Sequence, residues 1–218
     1  MRTVTRIMTA VVLMTALTVA QEGGWRSLLD GKTTAGWRGY RQKTVPEGWQ
    51  VVDGALTRAG KGGDIITVDQ FGDFELTLEY NIAPGGNSGI FFRVVEDDPV
   101  MWHGAPEVQV IDNARKDLKP EQTSGANYDL HAPSRDVTRP AGEWNALRLV
   151  VKGNLVEHWI NGTKVVDYEL GSEDWKRRVQ ASKFKDWPRF GSARRGHIAF
   201  QDHGDRVAYR NIRIRDLN

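Results

Sequence analysis

The chain contains no cysteine. That absence excludes a disulfide framework, a thiolate metal site, a cysteine nucleophile and a lipid-modified N-terminal cysteine. An excess of either charge is missing as well. Of the 30 Lys and Arg residues, Arg2 and Arg6 fall in an N-terminal leader without Asp or Glu, so the remaining 28 balance 28 acidic residues. Without a basic excess, the attraction that drives binding to nucleic acid or an anionic membrane is absent, and a neutral substrate is the better expectation. No Gly-x-Ser-x-Gly elbow, phosphate loop, dinucleotide fingerprint or His-Glu-x-x-His motif is present, so no nucleotide cofactor is expected.

One apolar run stands out, Ile7–Ala20. A basic start, a short apolar stretch and a small residue at the cut predict a secretory signal peptide over residues 1–20. As a helix that run would span about 21 Å, short of the ~30 Å hydrocarbon layer, so no stable membrane span is expected. The protein is read as exported, periplasmic or secreted. Asn161-Gly162-Thr163 matches a glycosylation sequon, but Asn-Gly between strand-like runs is first a tight hairpin turn.

Beyond the leader, the chain has a period of two. Phe74, Leu76, Leu78, Tyr80 and Ile82 alternate with Glu75, Thr77, Glu79 and Asn81, the pattern of a strand with one buried face. Comparable runs cover 48–52, 55–58, 64–68, 89–95, 107–111, 146–152, 155–160, 164–170, 197–201 and 207–215. Asp53-Gly54, Gly153-Asn154 and Asn161-Gly162 supply hairpin turns between them. Short strands without helical crossovers predict an all-β antiparallel sandwich, and no linker or repeat divides residues 25–217, a single domain. Long stretches over 97–106, 113–141 and 171–195 are expected to rim a site.

Strand geometry identifies which residues share a face. Glu107 and Gln109 lie with Ile111; Phe91 lies with Arg93; His197, Ala199, Gln201 and His203 lie together; His158 lies with Val156 and Ile160. A polar groove on one sheet is expected, with Trp102, Trp144, Trp175 or Trp187 as a platform for a sugar. Tryptophan in a sandwich is more often core than platform, and Trp37, Trp49, Trp144 and Trp159 are read as core; taken alone, Arg93 reads first as a surface cation and His158 as a satisfied interior histidine. Glu107-x-Gln109-x-x-Asp112 resembles the strand signature of retaining glucanases. That chemistry needs two carboxyl groups about 5–5.5 Å apart, and Gln109 cannot serve as one of them.

Several stretches carry a resemblance: Gly86-Asn87-Ser88-Gly89-Ile90-Phe91-Phe92-Arg93, Glu107-Val108-Gln109-Val110-Ile111-Asp112-Asn113, Gly142-Glu143-Trp144-Asn145, Val156-Glu157-His158-Trp159-Ile160-Asn161-Gly162, Gly196-His197-Ile198-Ala199-Phe200-Gln201-Asp202-His203-Gly204 and Arg210-Asn211-Ile212. Together they resemble the 3-keto-disaccharide hydrolase family, also described as 3-keto-glucoside 1,2-lyases and 3-keto-2-hydroxyglucal hydratases. The likeness runs from about Trp25 to Leu217. It implies a concanavalin A-like jelly-roll β-sandwich, bacterial export, and action on glycosides already oxidised at C3 by a separate dehydrogenase.

A C3 ketone acidifies the C2 proton, so a base near neutral pH can start elimination at C1, and water can add to the resulting glucal. From strand faces and chemical type, His158 or His203 is the expected base and Glu107 a second acid/base. Arg93, Gln109, Asn87, Ser88 and Gln201 are expected to bind the sugar, and Tyr128 and Lys183 to reach over it from the loops. A divalent ion on Glu107 and His203 could polarise the ketone. The alternatives are a non-catalytic carbohydrate-binding module, an ordinary glycoside hydrolase and an adhesion protein.

Overall fold

The structure, a computed structural model, describes residues 22–217; the expected signal peptide lies outside the described residues. The strands are β1 (Arg26–Ser27), β2 (Trp37–Gly39), β3 (Trp49–Val52), β4 (Ala55–Arg58), β5 (Ile65–Thr67), β6 (Phe74–Ile82), β7 (Asn87–Val94), β8 (Glu107–Ile111), β9 (Asn145–Lys152), β10 (Leu155–Ile160) and β11 (Thr163–Glu169), then β12 (His197–Phe200) and β13 (Val207–Asp216). They form two antiparallel sheets. One has eight strands in the order β11-β10-β9-β6-β13-β4-β3, with β1 also on β13; the other has five, β2-β5-β12-β7-β8. These are the two antiparallel sheets of the sandwich that the alternation predicts, in the jelly-roll form that the family resemblance implies.

The main core lies between the sheets. Phe74, Leu76, Leu78, Tyr80 and Ile82 of β6 all point into it, opposite Ile90, Phe92, Val108, Val110, Ile198 and Phe200 of the smaller sheet. Burying each such side chain is worth about 1.5–3 kcal/mol. Two hairpins turn through positive φ, at Asp53 (51°) with Gly54 (78°) and Asn161 (48°) with Gly162 (82°), the conformation Asn-Gly and Asp-Gly sequences favour. The Asn161 side chain is engaged too, donating to the carbonyl oxygen of Val137 at 2.8 Å.

A second apolar cluster covers the far face of the five-stranded sheet: Tyr40, Ile66, Phe91, Val94, Met101, Ala105 and Ala199. The 97–106 segment thus roofs one end of that face and leaves the other to polar side chains. The 171–195 stretch differs from the loop expected, because it holds a helix, α1 (Glu173–Ala181). Ser172 caps it by accepting from the Trp175 amide, Glu173 and Asp174 occupy its first turn, and buried Trp175 anchors it. Two tryptophans read as core, Trp37 and Trp49, are buried. Trp144 and Trp159 are not; each stacks beneath an arginine, Arg210 at 4.0 Å and Arg148 at 4.8 Å.

Candidate active site

The polar end of the five-stranded sheet forms a cavity of about 280 Å³. Its floor comes from neighbouring strands: Asn87 and Phe91 on β7, Glu107 and Gln109 on β8, and Gln201 just after β12. Loops supply Trp102, Tyr128, Lys183 and His203. Seven residues expected to bind or react, namely Asn87, Glu107, Gln109, Tyr128, Lys183, Gln201 and His203, therefore line one space.

Glu107 is the most perturbed of them. Its carboxyl group folds back over Gly89, where an added Cβ would come within 2.7 Å of Glu107 Cδ. Only glycine leaves that room. Burial pushes Glu107 up to about 8; nearby Lys183 opposes the shift, and the charges of Asp64 and Asp129 add to it. At neutral pH Glu107 is therefore mostly protonated, able to donate.

The loops are held in place by the edge of β8. There the Gln109 amide donates to the Ala126 carbonyl, the Gly125 amide donates to the Gln109 carbonyl, and the Tyr128 amide donates to the Glu107 carbonyl at 3.1 Å. Burial raises the Tyr128 phenol above its usual range, with the Glu107 charge adding to it. Lys183, on the 3-10 turn following α1, sets its ammonium 4.5 Å from the centre of the Tyr128 ring and 5.2 Å from that of Trp102.

The His203 turn is built just as firmly. Asp202 accepts from Arg58 Nε (2.6 Å) and from the amides of Gly62 (3.0 Å), Gly63 (2.8 Å) and Gly204 (3.0 Å). Its own amide donates to Asp64 at 2.9 Å. Burial pushes Asp64 up to about 6, against that amide; the Asp202 charge adds to the shift and His203 opposes it. Asp205 holds the Asn87 amide at 3.0 Å. The acids of the Gln201–Asp205 run are thus scaffolding that presents His203. Asn87 Oδ1 is buried and has no hydrogen-bond partner among the described residues, an acceptor left for a ligand.

Three expected site residues lie elsewhere. Arg93 does not share a face with Phe91, because it sits at φ 53° in a bulge and Phe91 packs outward with Val94 instead. The bulge turns Arg93 inward, 2% exposed, to donate to Asp73 Oδ1 (3.0 Å) and the carbonyls of Gly72 (3.1 Å) and Gly153 (2.9 Å). His158 is in the core: its Nδ1 donates to the Gly125 carbonyl at 2.9 Å, and burial pushes it down to about 4. Of the two bases considered, only His203 reaches the cavity. Ser88 faces the core as well, donating to the Gln201 carbonyl at 2.8 Å and meeting Tyr209.

Among the tryptophans offered as platforms, Trp102 lines the cavity, with Trp187 edge-on to it at 4.7 Å. Trp175 is buried, and Trp144 stacks with Arg210. Asp64, Gly89 and Phe184 were not legible as site residues. For Asp64 the signal was faint, an acid after Gly62-Gly63 opening a short strand. Glu107 and His203 share the cavity, but among the described residues no group of three His, Asp or Glu side chains is placed to hold a metal ion. No helix among the described residues is long and apolar enough to cross a membrane.

Comparison with known proteins agrees with this architecture. The family profile described as 3-keto-alpha-glucoside-1,2-lyase-like domain matches residues 24–215. A 3-keto-disaccharide hydrolase of Bacteroides thetaiotaomicron is 34% identical, over 89% of this chain and 79% of that protein. A crystal structure of a candidate glycosyl hydrolase from Parabacteroides distasonis superposes with a TM-score of 0.84 at 35% identity, covering 89% of this chain and 94% of that one. At 14% identity and a TM-score of 0.53, a galectin-like protein of Bacillus subtilis shares the fold alone, over 88% of this chain and 89% of its own.

Proposed function

Because the chain belongs to the 3-keto-alpha-glucoside-1,2-lyase-like family, we propose that it cleaves 3-keto-glycosides by elimination and hydrates the product. His203 removes the C2 proton. The electrons shift toward the C3 oxygen, an enolate that the Gln201 and Gln109 amides stabilise by hydrogen bonding. The enolate then reforms the ketone as the C1–O bond breaks, and protonated Glu107 supplies the proton to the departing oxygen. The products are 3-keto-2-hydroxyglucal and the free alcohol. Addition of water across C1 and C2, with Glu107 now acting as base and His203 as acid, gives 3-keto-glucose.

The observation that carries this reading is Glu107. A strand-borne carboxyl group pushed up to about 8 beside a histidine and an ammonium is an acid poised for proton transfer. The relative's substrate class supports the same reading, since the B. thetaiotaomicron protein is named for 3-keto-disaccharides. An exported enzyme working downstream of a separate glycoside 3-dehydrogenase completes the proposal, with residues 1–20 as the export signal.

Purified protein incubated with methyl 3-keto-α-glucoside is expected to produce a transient enone absorbance and methanol, with kcat/KM falling above about pH 8 as Glu107 ionises. Cleavage of the unoxidised glucoside at a comparable rate would replace elimination by ordinary hydrolysis. Binding of either compound without turnover would reduce the protein to a carbohydrate-binding module.

A further inference from the structure

A second cavity, of about 470 Å³, adjoins the first, and Lys183 is a wall of both. It is lined by Lys119, Glu121, Asp129, Arg178 and Ser182. The chain divides its side chains between the two spaces at one point: Tyr128 faces the first cavity, and Asp129, at φ 61°, faces the second. The two are close neighbours electrically as well, since the Asp129 charge opposes ionisation of Glu107. One Asp129 oxygen accepts from Gln122 Nε2 at 3.2 Å, and Arg178 is fixed by donating to the Leu130 carbonyl at 2.8 Å.

The chemistry of the two linings differs. The first mixes an apolar wall of Phe91, Trp102 and Phe184 with acid, base and amides. The second places cations and carboxylates side by side, so it offers donors and acceptors in turn with little field of one sign. A neutral polyol can satisfy such groups. An aryl or alkyl group would strip water from them without replacing the lost hydrogen bonds.

We propose that the second cavity is the leaving-group subsite and takes a hydroxyl-rich glycosyl unit, with the oxidised ring in the first cavity and the scissile C1–O bond beside Lys183. This assignment rests on the elimination reading of the Glu107 site. In the reaction the C1–O bonding pair stays with the glycosyl oxygen, which takes the proton of Glu107 from the first cavity. Asp129 and Arg178 then determine which glycosyl units are accepted.

The test compares 3-keto-maltose with methyl 3-keto-α-glucoside in wild type, in the two second-cavity variants Ala181→Trp and Asp129→Asn, and in Trp102→Ala as the control for the apolar wall. Ala181 is exposed at the end of α1 and lines the second cavity, so tryptophan fills that space without disturbing the core. In both variants the ratio of kcat/KM for the disaccharide to that for the methyl glucoside is expected to fall about tenfold, through KM. An unchanged ratio in both variants, each with wild-type circular dichroism, would overturn the subsite. So would a fall in that ratio confined to Trp102→Ala, which would move the leaving group to the apolar wall. Wild-type protein inert toward both substrates would instead remove the elimination reading, and the subsite with it.

Discussion

Glu75 and Glu107 are similarly little exposed, 4% and 7%, on strands of different sheets, yet the outcomes for their charge are opposite. For Glu75 the cost of desolvation is outweighed by the guanidinium groups of Arg148 and Arg215, which hold it below its usual range. Arg148 stacks in turn over Trp159, and Arg210 pairs with Glu79 at 2.6 Å while stacking over Trp144. The outer face of the eight-stranded sheet thus satisfies its polar groups internally. At Glu107 the Lys183 ammonium only moderates the shift, and the carboxyl keeps its proton. The difference lies in depth and partners together: Glu75 sits shallow beneath two arginines, whereas Glu107 is deeply buried with one ammonium nearby, so one sheet uses its polar groups to hold itself together and the other keeps them available for a ligand.

The largest effect should come from separating those two roles. Glu107→Gln is expected to lower kcat on a 3-keto-glucoside about 10³-fold. It should also raise stability in alkali. A folded-state carboxyl held above its ordinary value contributes stability that is complete at low pH and lost as pH rises through about 8. Removing that group should therefore raise the melting temperature at pH 9 by about 5 °C. Glu75→Gln should do the reverse, losing about 1–2 kcal/mol in urea unfolding with turnover intact. A loss of turnover in Glu75→Gln, or a Glu107→Gln protein less stable than wild type at pH 9, would break the comparison.

The two histidines sharpen it. His203→Ala is expected to cost about 10²-fold in kcat at unchanged stability. His158→Ala should lower stability by about 2–4 kcal/mol, through the cavity left and the Gly125 carbonyl stranded, with kcat of the folded fraction preserved. The smallest effect concerns the room above the strand. Gly89→Ala should displace the Glu107 carboxyl and reduce kcat/KM about tenfold, while moving the alkaline limb of the pH profile toward lower pH as the carboxyl regains solvent.

Much of the sandwich was legible because alternation is local. The β6 pattern, the Val108 and Val110 core positions and the Asn-Gly turn follow from side-chain period and backbone preference alone. The same rule placed Glu107 and Gln109 on one face. It failed at Arg93, where a single residue at positive φ flips the face, and nothing in Phe92-Arg93-Val94 marks a bulge. On β10 the rule set His158 on the face of Val156 and Ile160, and the reading of it as a satisfied interior histidine holds, while the reading of it as the base does not. The helix after Ser172 was readable from its cap and acidic first turn, but the period-two pattern around it hid the signal.

By itself, the sequence determined the alternation that makes two sheets, the turns that join them and the chemical types available to a sugar site, because those depend on neighbours one or two residues away. The tertiary structure alone decided which faces are closed and which open. Whether a carboxyl keeps its proton or a histidine meets solvent depends on side chains brought from distant strands, as when Gly89 makes space for Glu107 and Arg148 neutralises Glu75.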